Sequence, residues 1–440
     1  MRQIVCRLSV ALLLCSLAGL GLANQGALQG SVVELEQRSD GSFALLRNGK
    51  PYQVKGAGYG GGNLELLKAL GGNSIRTWGV SQLEQIVDGK ALLDRAHELG
   101  LTVSAGFWVN HLRHGFDYGN PVDFERQRNQ LREAVMKYKD HPALLVWNLG
   151  NEMEAFLPEG ADVTLVWKEL DHLAGMIKEM DPDHPVMTTI ASAGPDTIES
   201  IKAYYPNLDI LGVNAYSGAS TVGRNLPDAG WDGPYMLTEF GVTGTWEVAK
   251  TPWSAPVEAD PSSKAADSYA AYTLDRDRNI GRSLGSYVFI WGDKQEATFS
   301  WFSMFLPSGE KLPRVDAMAY AWTGEWPKNR APKLRSLNTE VAFKRVKAGS
   351  SSQAKVDVLD REGDQLSYTW DIRAESSDRR VGGDSEAVPR SFPELIKKGQ
   401  GTERIEFSTP GEPGAYRIFV TAFDGKGGAT VHNLPFYVEQ

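Results

Sequence analysis

Two glutamates each follow an apolar run and stand out as residues able to do acid–base chemistry. Glu152 comes after the run 143–150, and Glu239 comes after the run 235–238. Two carboxyl groups at one cleft suit the cleavage of a glycosidic bond, because one protonates the leaving oxygen while the other attacks the anomeric carbon. Retaining cleavage requires a separation of about 5 to 5.5 Å between them. The sequence supplies both groups, and their separation stays a prediction.

The order of elements around these glutamates predicts the scaffold. Short apolar runs alternate with amphipathic stretches that suit helices, for example 123–138 and 162–180, which is the pattern of βα units around a parallel sheet. Eight runs are predicted strands: 53–58, 73–78, 101–107, 143–149, 185–191, 208–214, 235–239 and 285–291. Their number and total length fit an α/β fold of the (β/α)8 TIM-barrel type, which is typically ~250 residues long. Since catalytic groups of such barrels lie at the carboxyl ends of strands, Glu152 and Glu239 are predicted to share one mouth.

An open, doubly wound parallel sheet is the alternative scaffold. Its nucleotide-binding version carries a G-x-G-x-x-G motif after the first strand, and this chain has none there. The glycine-rich run 58–62 is the nearest feature. It suits a loop that lets the backbone approach a ligand, or a flexible connection without such a role.

The flanking segments predict further units. Apolar residues on both sides of Asn48 and Gly49 predict a short hairpin within residues 31–55, so that residues 24–326 comprise the hairpin and the barrel. From residue 327 to residue 440 the pattern changes to alternating runs separated by Gly/Asp turns. This pattern predicts a small all-β sandwich, similar to immunoglobulin-like or PKD-type modules. Its acidic turn at 360–364 suits either a calcium ion or plain solvation.

The first 23 residues have the pattern of a cleaved export signal. A basic start precedes an apolar run that ends in small residues at Gly21 and Ala23. A membrane anchor is the alternative, although the run is short for a span and no charged flank follows it. We therefore expect an exported protein, periplasmic or secreted. Both cysteines, Cys6 and Cys15, lie in this segment, so the processed chain would form no disulfide.

Charge and composition narrow the class of partner. The chain has 46 basic and 55 acidic side chains and a formal net charge of −9, which disfavours nucleic acid and anionic membranes as partners. His111 and His114 suggest a metal site by their spacing, but no third ligand follows at a suitable distance along the chain. We expect no metal and no cofactor. The expected partner is a poly- or oligosaccharide, without stable membrane insertion after signal cleavage, and the sequence leaves the oligomeric state open.

Several strings resemble a known group of enzymes. Residues 147–152, WNLGNE, resemble the W-N-x-G-N-E signature of clan A glycoside hydrolases, and residues 237–241, LTEFG, resemble their seventh-strand nucleophile motif. The second-strand string 73–79 and the third-strand string 106–111 are most similar to the catalytic barrel of family 2. The resemblance covers roughly residues 40–326 and implies a TIM-barrel enzyme that cleaves β-glycosides.

The resemblance implies roles for the charged residues. Glu152 corresponds to the catalytic acid/base and Glu239 to the nucleophile. Arg76 corresponds to a second-strand arginine that holds the nucleophile ionised, because a guanidinium keeps its charge at every physiological pH. We expect a raised pKa of the Glu152 carboxyl, from the charge of the nucleophile and from apolar neighbours such as Trp147 and Trp291.

The same resemblance extends to substrate-binding residues. Asn151 matches an asparagine that hydrogen-bonds the sugar 2-hydroxyl, and Tyr216 matches a residue that orients the nucleophile. Trp291 matches an eighth-strand tryptophan that forms the floor of the sugar subsite. Trp108 and His111, after the third strand, are further candidates, because aromatic faces stack on the C–H faces of sugars and a loop histidine can bind a hydroxyl.

These features favour one function over two others. The expected function is retaining hydrolysis of a β-linked glycan, with a β-glucan or a related oligosaccharide as the substrate, through a covalent glycosyl-enzyme intermediate. A transglycosylase would use the same intermediate and pass the glycosyl group to another sugar. A non-catalytic glycan-binding protein on a barrel scaffold is the third possibility. The presence of glutamates at both strand ends argues against it.

Overall fold

A closed barrel of eight parallel strands forms the centre of the molecule. The computed structural model describes residues 30–440, so the predicted export signal lies outside the described residues. The strands up to the end of the barrel are, in chain order, β1 (Val33–Gln37), β2 (Phe43–Arg47), β3 (Lys50–Pro51), β4 (Val54–Gly60), β5 (Ser74–Arg76), β6 (Ile86–Val87), β7 (Lys90–Ala91), β8 (Thr102–Phe107), β9 (Leu144–Asn151), β10 (Val186–Ile190), β11 (Ile210–Asn214), β12 (Tyr235–Phe240) and β13 (Ser283–Gly292).

All eight predicted strands are present, and they close in the predicted order. β4, β5 and β8 to β13 are the first to eighth barrel strands, and the eighth pairs with the first. Every residue of the fourth strand, Leu144–Asn151, is buried. A parallel strand is covered by helices on one face and by packed side chains on the other, which explains its nearly continuous apolar sequence. The predicted (β/α)8 fold class is confirmed.

Helices surround the barrel and begin where the sequence supplies caps. They are α1 (Leu64–Ala69), α2 (Leu92–Glu98), α3 (Pro121–Tyr138), α4 (Val163–Met180), α5 (Pro195–Tyr204), α6 (Val222–Asp228), α7 (Pro261–Arg278) and α8 (Pro313–Thr323). Asn120 caps α3 and Asp162 caps α4, since each side chain accepts a backbone N–H of the first turn. Within residues 30–440, no helix has both the length and the apolar character that crossing a bilayer requires.

A three-stranded antiparallel sheet, β1 to β3, covers the amino-terminal end of the barrel. Asn48 and Gly49, with φ of 52° and 70°, form the predicted tight turn between β2 and β3. Val33 and Leu45 of this sheet pack with barrel residues such as Leu145, Met187 and Met236. The sheet therefore closes this end of the barrel, and the carboxyl ends of the strands remain available for a site.

The segment after α8 forms the predicted all-β module. Its strands are β14 (Lys333–Thr339), β15 (Arg345–Lys347), β16 (Ser351–Leu359), β17 (Ser367–Ala374), β18 (Ile396–Lys398), β19 (Arg404–Ser408), β20 (Gly414–Phe423) and β21 (Ala429–Glu439). They form two four-stranded sheets, in the orders β14-β16-β19-β18 and β15-β21-β20-β17. Trp370, Ile372, Phe407 and Ile418 belong to the core of the module. The comparison of this module with immunoglobulin-like domains stays a prediction.

The module packs against the loops that follow the seventh and eighth barrel strands. Leu306 and Leu312 of the barrel share an apolar cluster with Phe419 and Val431 of the module. The Arg417 side chain also donates a 2.6 Å hydrogen bond to the carbonyl of Pro256, which lies in the seventh loop. Both loops stand at the carboxyl end of the barrel, so the module adjoins the end where the predicted site lies.

Candidate active site

Glu152 stands immediately after the fourth barrel strand and turns into the mouth of the barrel. Its φ of 53° is left-handed, a conformation that costs a non-glycine residue on the order of 1 kcal/mol. The backbone N–H of Glu152 donates a 2.8 Å hydrogen bond to the Thr189 carbonyl, which fixes the turn. The side chain accepts a 2.8 Å hydrogen bond at Oε1 from Nδ2 of Asn214.

Glu239 lies on the seventh barrel strand and is almost fully buried. Three donors surround its carboxylate. Arg76 Nη1 and Trp78 Nε1 donate to Oε1 over 2.8 and 2.9 Å, and the Tyr216 hydroxyl donates to Oε2 over 2.7 Å. Hydrogen bonds to a charged acceptor are about twice as strong as neutral ones, so these three donors hold the Glu239 carboxylate in one orientation.

Arg76 connects the two sides of the site. Its guanidinium is fully buried. Nη1 donates a hydrogen bond to Glu239, and Nη2 donates a 2.6 Å hydrogen bond to Oδ1 of Asn151. Asn214 continues the connection, because its Nδ2 donates both to Asn151 Oδ1 (3.2 Å) and to Glu152. A continuous polar network therefore links the two glutamates. The planar fork of arginine suits this bridging position, where a lysine would offer only a point charge.

The environment of Glu152 raises the pKa of its carboxyl to about 7. Burial is the larger cause and the charge of Glu239 the next, while the hydrogen bond from Asn214 acts in the opposite direction. Trp147 and Trp291 were expected to be the apolar neighbours that raise this pKa, and that expectation is wrong, because both side chains lie away from the cavity. Their indole N–H groups donate to Asp181 and to the Asn63 carbonyl, and neither residue lines the cavity.

Both glutamates line a cavity of about 1000 Å³ at the carboxyl end of the barrel. Flat aromatic side chains form much of its wall, and Phe156 and Trp246 are more than half exposed within it. Such faces stack on the apolar C–H faces of sugar rings. Of the sequence-predicted residues, the cavity brings together Glu152, Glu239, Asn151, Tyr216 and Trp108, with Arg76 buried against Glu239.

Trp291 is a correction to the sequence analysis. It packs against Phe305 and Trp322 on the helix side of the eighth strand, with ring centroids 5.0 and 6.2 Å away. Phe289 lines the cavity instead and meets the rings of Trp78 and Tyr216 edge-on. The pairing of the eighth strand with the first shifts register between residues 288 and 291, so simple alternation does not predict which aromatic side chain faces inward.

His111 also occupies a different place from the one expected. It is buried, packs against Trp108 with ring centroids 4.9 Å apart, and is not among the residues that line the cavity. Burial, followed by the charges of Arg113 and His114, lowers the pKa of His111 to about 3. A neutral imidazole behind Trp108 supports that indole and does not itself reach the cavity surface.

Asn214 and Trp78 are site residues whose roles the sequence analysis missed. Asn214 ends the sixth barrel strand, and Trp78 follows the second. The rule that identified the glutamates, a polar side chain at the carboxyl end of a strand, would also have identified Asn214. Nothing in the sequence marks the indole N–H of Trp78 as a donor to Glu239.

Comparisons with known proteins agree with this architecture. No family model matches the chain. It is similar to the β-glucuronidase of Sus scrofa, with 25% identity over 192 residues that cover 39% of this chain and 26% of the relative. It is also similar to the β-glucuronidase of Paenibacillus borealis, with 22% identity over 255 residues that cover 52% of this chain and 39% of the relative. The matched regions thus span less than half the length of these curated relatives.

A solved structure shares the fold. Bacteroides uniformis β-glucuronidase 2, covalently bound to cyclophellitol-6-carboxylate aziridine, superposes with a TM-score of 0.51 and 14% identity. The match covers 92% of this chain and 48% of that chain. At this identity the likeness concerns the fold alone. Together with the curated relatives, it confirms the resemblance to a family 2-like barrel.

Proposed function

We propose that this chain is a retaining β-glycoside hydrolase in which Glu152 is the acid/base and Glu239 the nucleophile. The observation that carries the proposal is the difference between the two carboxyl groups. Burial and the charge of Glu239 raise the pKa of Glu152 to about 7, whereas Glu239 accepts hydrogen bonds from a guanidinium, an indole and a phenol. Paired carboxyl groups held in opposite protonation states are what acid-assisted nucleophilic displacement requires.

In the first step, Glu239 attacks the anomeric carbon while Glu152 gives its proton to the glycosidic oxygen. The carbon–oxygen bond to the leaving sugar breaks, and an ester forms between Glu239 and the glycosyl group. Esterification removes the negative charge of Glu239, which is one cause of the raised pKa of Glu152. The pKa of Glu152 therefore falls, and its carboxylate then accepts a proton from the water that cleaves the ester.

Asn151 is placed to bind the sugar. Its Oδ1 accepts hydrogen bonds from Arg76 and Asn214, which orients the amide. The opposite Nδ2 group is thereby left to donate to a sugar hydroxyl, and Asn151 lines the cavity. A contact of this kind with the 2-hydroxyl strengthens in the transition state of glycoside cleavage.

The charges around the cavity favour a neutral substrate. The two basic side chains in its wall each lie beside an acidic partner, since Lys294 is 3.4 Å from Glu296 and Nε of Arg380 is 2.6 Å from Asp378. With Glu152 protonated, four other acidic residues still outnumber them in the wall; they are Glu239, Glu247, Glu296 and Asp384. A substrate carboxylate would enter a site of net negative charge. We therefore propose a neutral β-glucan or a related oligosaccharide as the substrate, although both curated relatives are named β-glucuronidases.

A substrate panel tests this proposal. The panel contains 4-nitrophenyl β-glucoside, β-galactoside, β-mannoside and β-glucuronide, with β-1,3- and β-1,4-linked gluco-oligosaccharides. We expect turnover of a neutral glycoside, and NMR should show that the first product keeps the β configuration. Preference for the glucuronide would refute the proposed substrate, and inverted product would refute the retaining mechanism. Sugars longer than the substrate among the products would instead identify a transglycosylase.

Two substitutions test the assignment of the nucleophile. Glu239→Gln should lower kcat by a factor on the order of 10⁴ or more, because an amide does not displace the leaving group. Glu199→Gln is the matched control, since Glu199 is exposed on α5. Unchanged turnover in Glu239→Gln would remove the basis of the mechanism.

We also infer export, from the signal-like pattern of residues 1–23. The measurement is the amino-terminal sequence of the protein recovered from the periplasm or the medium. We expect it to begin after Ala23. A cytoplasmic protein with an intact first segment would contradict the inference.

A further inference from the structure

Part of the cavity wall comes from the C-terminal module. The segment 378–386, here called the module loop, lies between β17 and the short 3-10 turn Pro393–Leu395. Five consecutive residues of this loop line the cavity that holds Glu152 and Glu239: Arg380, Val381, Gly382, Gly383 and Asp384. They are more than 220 positions from Glu152 in sequence, so only the packing of the module on the barrel brings them there.

The module loop lies on the side of the mouth where the loop after the first barrel strand is short. Three residues, 61–63, separate the first barrel strand from α1, and the 15 residues 77–91 between the second strand and α2 form the 3-10 turn Val80–Glu84 and the short strands β6 and β7. By contrast, 20 residues, 241–260, follow the seventh strand before α7. The first and second strands stand between the eighth and the third in the ring. The module loop contacts the loops after the eighth and the third strands and so spans this gap.

Two contacts attach the module loop beside the eighth strand. Lys294 Nζ donates a 2.7 Å hydrogen bond to the Gly383 carbonyl. The buried Glu386 accepts one at Oε2 from the backbone N–H of Ala297 (2.8 Å) and one at Oε1 from that of Arg380 (3.2 Å). A buried carboxylate that accepts backbone N–H groups on both sides of an interface holds the loop against the barrel.

The middle of the module loop also meets the loop after the third strand. Asp384 lies 3.2 Å from Nε2 of His114 and 3.7 Å from Nη2 of Arg113. Gly382, with φ of +63°, lies so close to Arg113 that a Cβ there would be 2.7 Å from the guanidinium carbon. Glycine permits both the backbone conformation and the close approach. The loop is therefore held on two sides of the mouth.

We propose that the module loop is a substrate-contacting wall of the active site, and that Val381 and Arg380 determine specificity by binding sugar units beyond the one held between the glutamates. Val381 is 50% exposed although it lines the cavity, and it offers an apolar surface to a sugar face. Arg380 pairs through Nε with Asp378, and its terminal amino groups make no hydrogen bond to any residue of the described chain, 30–440. Those groups suit sugar hydroxyls.

The size of the cavity supports more than one sugar unit. Typical ligand pockets span about 300 to 1000 Å³ and enclose drug-sized molecules, and this cavity lies at the upper limit. The inference rests on the proposed function, because it names the part of the chain that binds the additional units of a neutral β-linked oligosaccharide. It makes the C-terminal module a component of the site.

The test compares exposed valines and arginines of the module. Val381→Asp and Arg380→Ala alter the wall. Val388→Asp and Arg335→Ala are the matched controls, because Val388 is 68% exposed, Arg335 is exposed beside Asp357, and neither lines the cavity. The substrates are the 4-nitrophenyl β-glycoside that the unmodified protein cleaves fastest and the tetrasaccharide of the same sugar. The first reports on the glutamate pair, and the second also reaches the wall.

We expect each wall variant to lose about tenfold in kcat/KM for the tetrasaccharide, mainly through KM, because binding shared by the ground and transition states is removed. The nitrophenyl glycoside should change by less than about twofold, as should both controls on both substrates. A Val381→Asp variant that matches Val388→Asp on the tetrasaccharide would overturn the proposal. Equal losses on both substrates would also overturn it. If the unmodified protein cleaves neither substrate, the proposed hydrolase fails, which is a separate result.

Discussion

Glu152 and Glu239 are chemically identical residues that the surrounding chain makes different. Glu239 receives three side-chain hydrogen bonds, one of them from a buried guanidinium, whereas Glu152 receives one from Asn214. The partial burial of Glu152 at the cavity wall and the charge of the second carboxylate favour its protonated form. The proposed division between acid and nucleophile therefore depends on the donors that surround each residue.

At the residue scale, the raised pKa of Glu152 predicts the alkaline side of the pH profile. The proposed acid must be protonated to assist the leaving oxygen, and its pKa of about 7 means that the protonated fraction falls as the pH rises through 7. We expect kcat/KM to decrease about tenfold per pH unit well above 7. Initial rates measured between pH 5 and pH 9 give this dependence of kcat/KM on pH. A rate that stays flat up to pH 9 would contradict the assignment of Glu152.

Asn214→Ala should shift the descending, alkaline limb of the pH profile to higher pH. The amide of Asn214 donates to the Glu152 carboxylate and favours its charged form, so its removal raises the pKa of Glu152. We expect the descending limb to shift to higher pH, together with a lower maximum, because Asn151 also loses a contact. Asn338→Ala is the matched control, because Asn338 is exposed on β14 of the module, does not line the cavity and should leave the limb in place. A shift toward lower pH would contradict the role given to Asn214.

At the scale of elements, periodicity in the sequence predicted where strands and helices lie. The fourth strand was predicted at 143–149 and spans Leu144–Asn151, because a fully buried parallel strand is nearly continuous in apolar residues. The resemblance matched Trp291 to the eighth-strand tryptophan, and neither it nor the periodicity reveals the register shift that leaves Phe289 at the cavity instead. It also gives no sign of the module loop, whose contact between Glu386 and Ala297 joins residues 89 positions apart.

The eighth strand provides a prediction that separates packing from substrate binding. Trp291→Ala removes a fully buried indole behind the strand, and we expect it to lower the free energy of unfolding by about 3–5 kcal/mol. Phe289→Ala, at the cavity surface, should instead raise KM and lower kcat. Denaturant unfolding and steady-state kinetics of both variants distinguish the two effects. If Trp291→Ala proved stable but raised KM selectively, the floor of the subsite would lie where the sequence analysis placed it.

At the scale of the whole molecule, a buried polar network joins the barrel to the module. Glu258, in the loop after the seventh strand, accepts hydrogen bonds from Lys264 (2.7 Å) and from Asn433 of the module (2.6 Å). Arg417 of the module donates to Asn433 and to the Pro256 carbonyl. Because the module loop contributes to the cavity wall, this network positions the wall as well as the module. We expect calorimetry to show a single unfolding transition, and two well-separated transitions would contradict this coupling.

Glu258→Gln tests how strongly the network holds the molecule together. Burial alone would raise the pKa of Glu258, but Lys264 and the hydrogen-bond donors around it lower the pKa to about 2. The stabilisation is therefore complete above the ordinary glutamate pKa of about 4.5 and is lost as the pH falls toward 2. At pH 7 the substitution leaves Lys264 without its partner and should destabilise the protein by about 3–5 kcal/mol.

The surface pair of Lys398 and Glu406 provides the control, since Glu406→Gln should cost less than about 1 kcal/mol. Thermal unfolding is measured at pH 7 and at pH 3. The difference in stability between Glu258→Gln and the unmodified protein should be smaller at pH 3. An equal difference at both pH values would mean that Glu258 does not act through its charge.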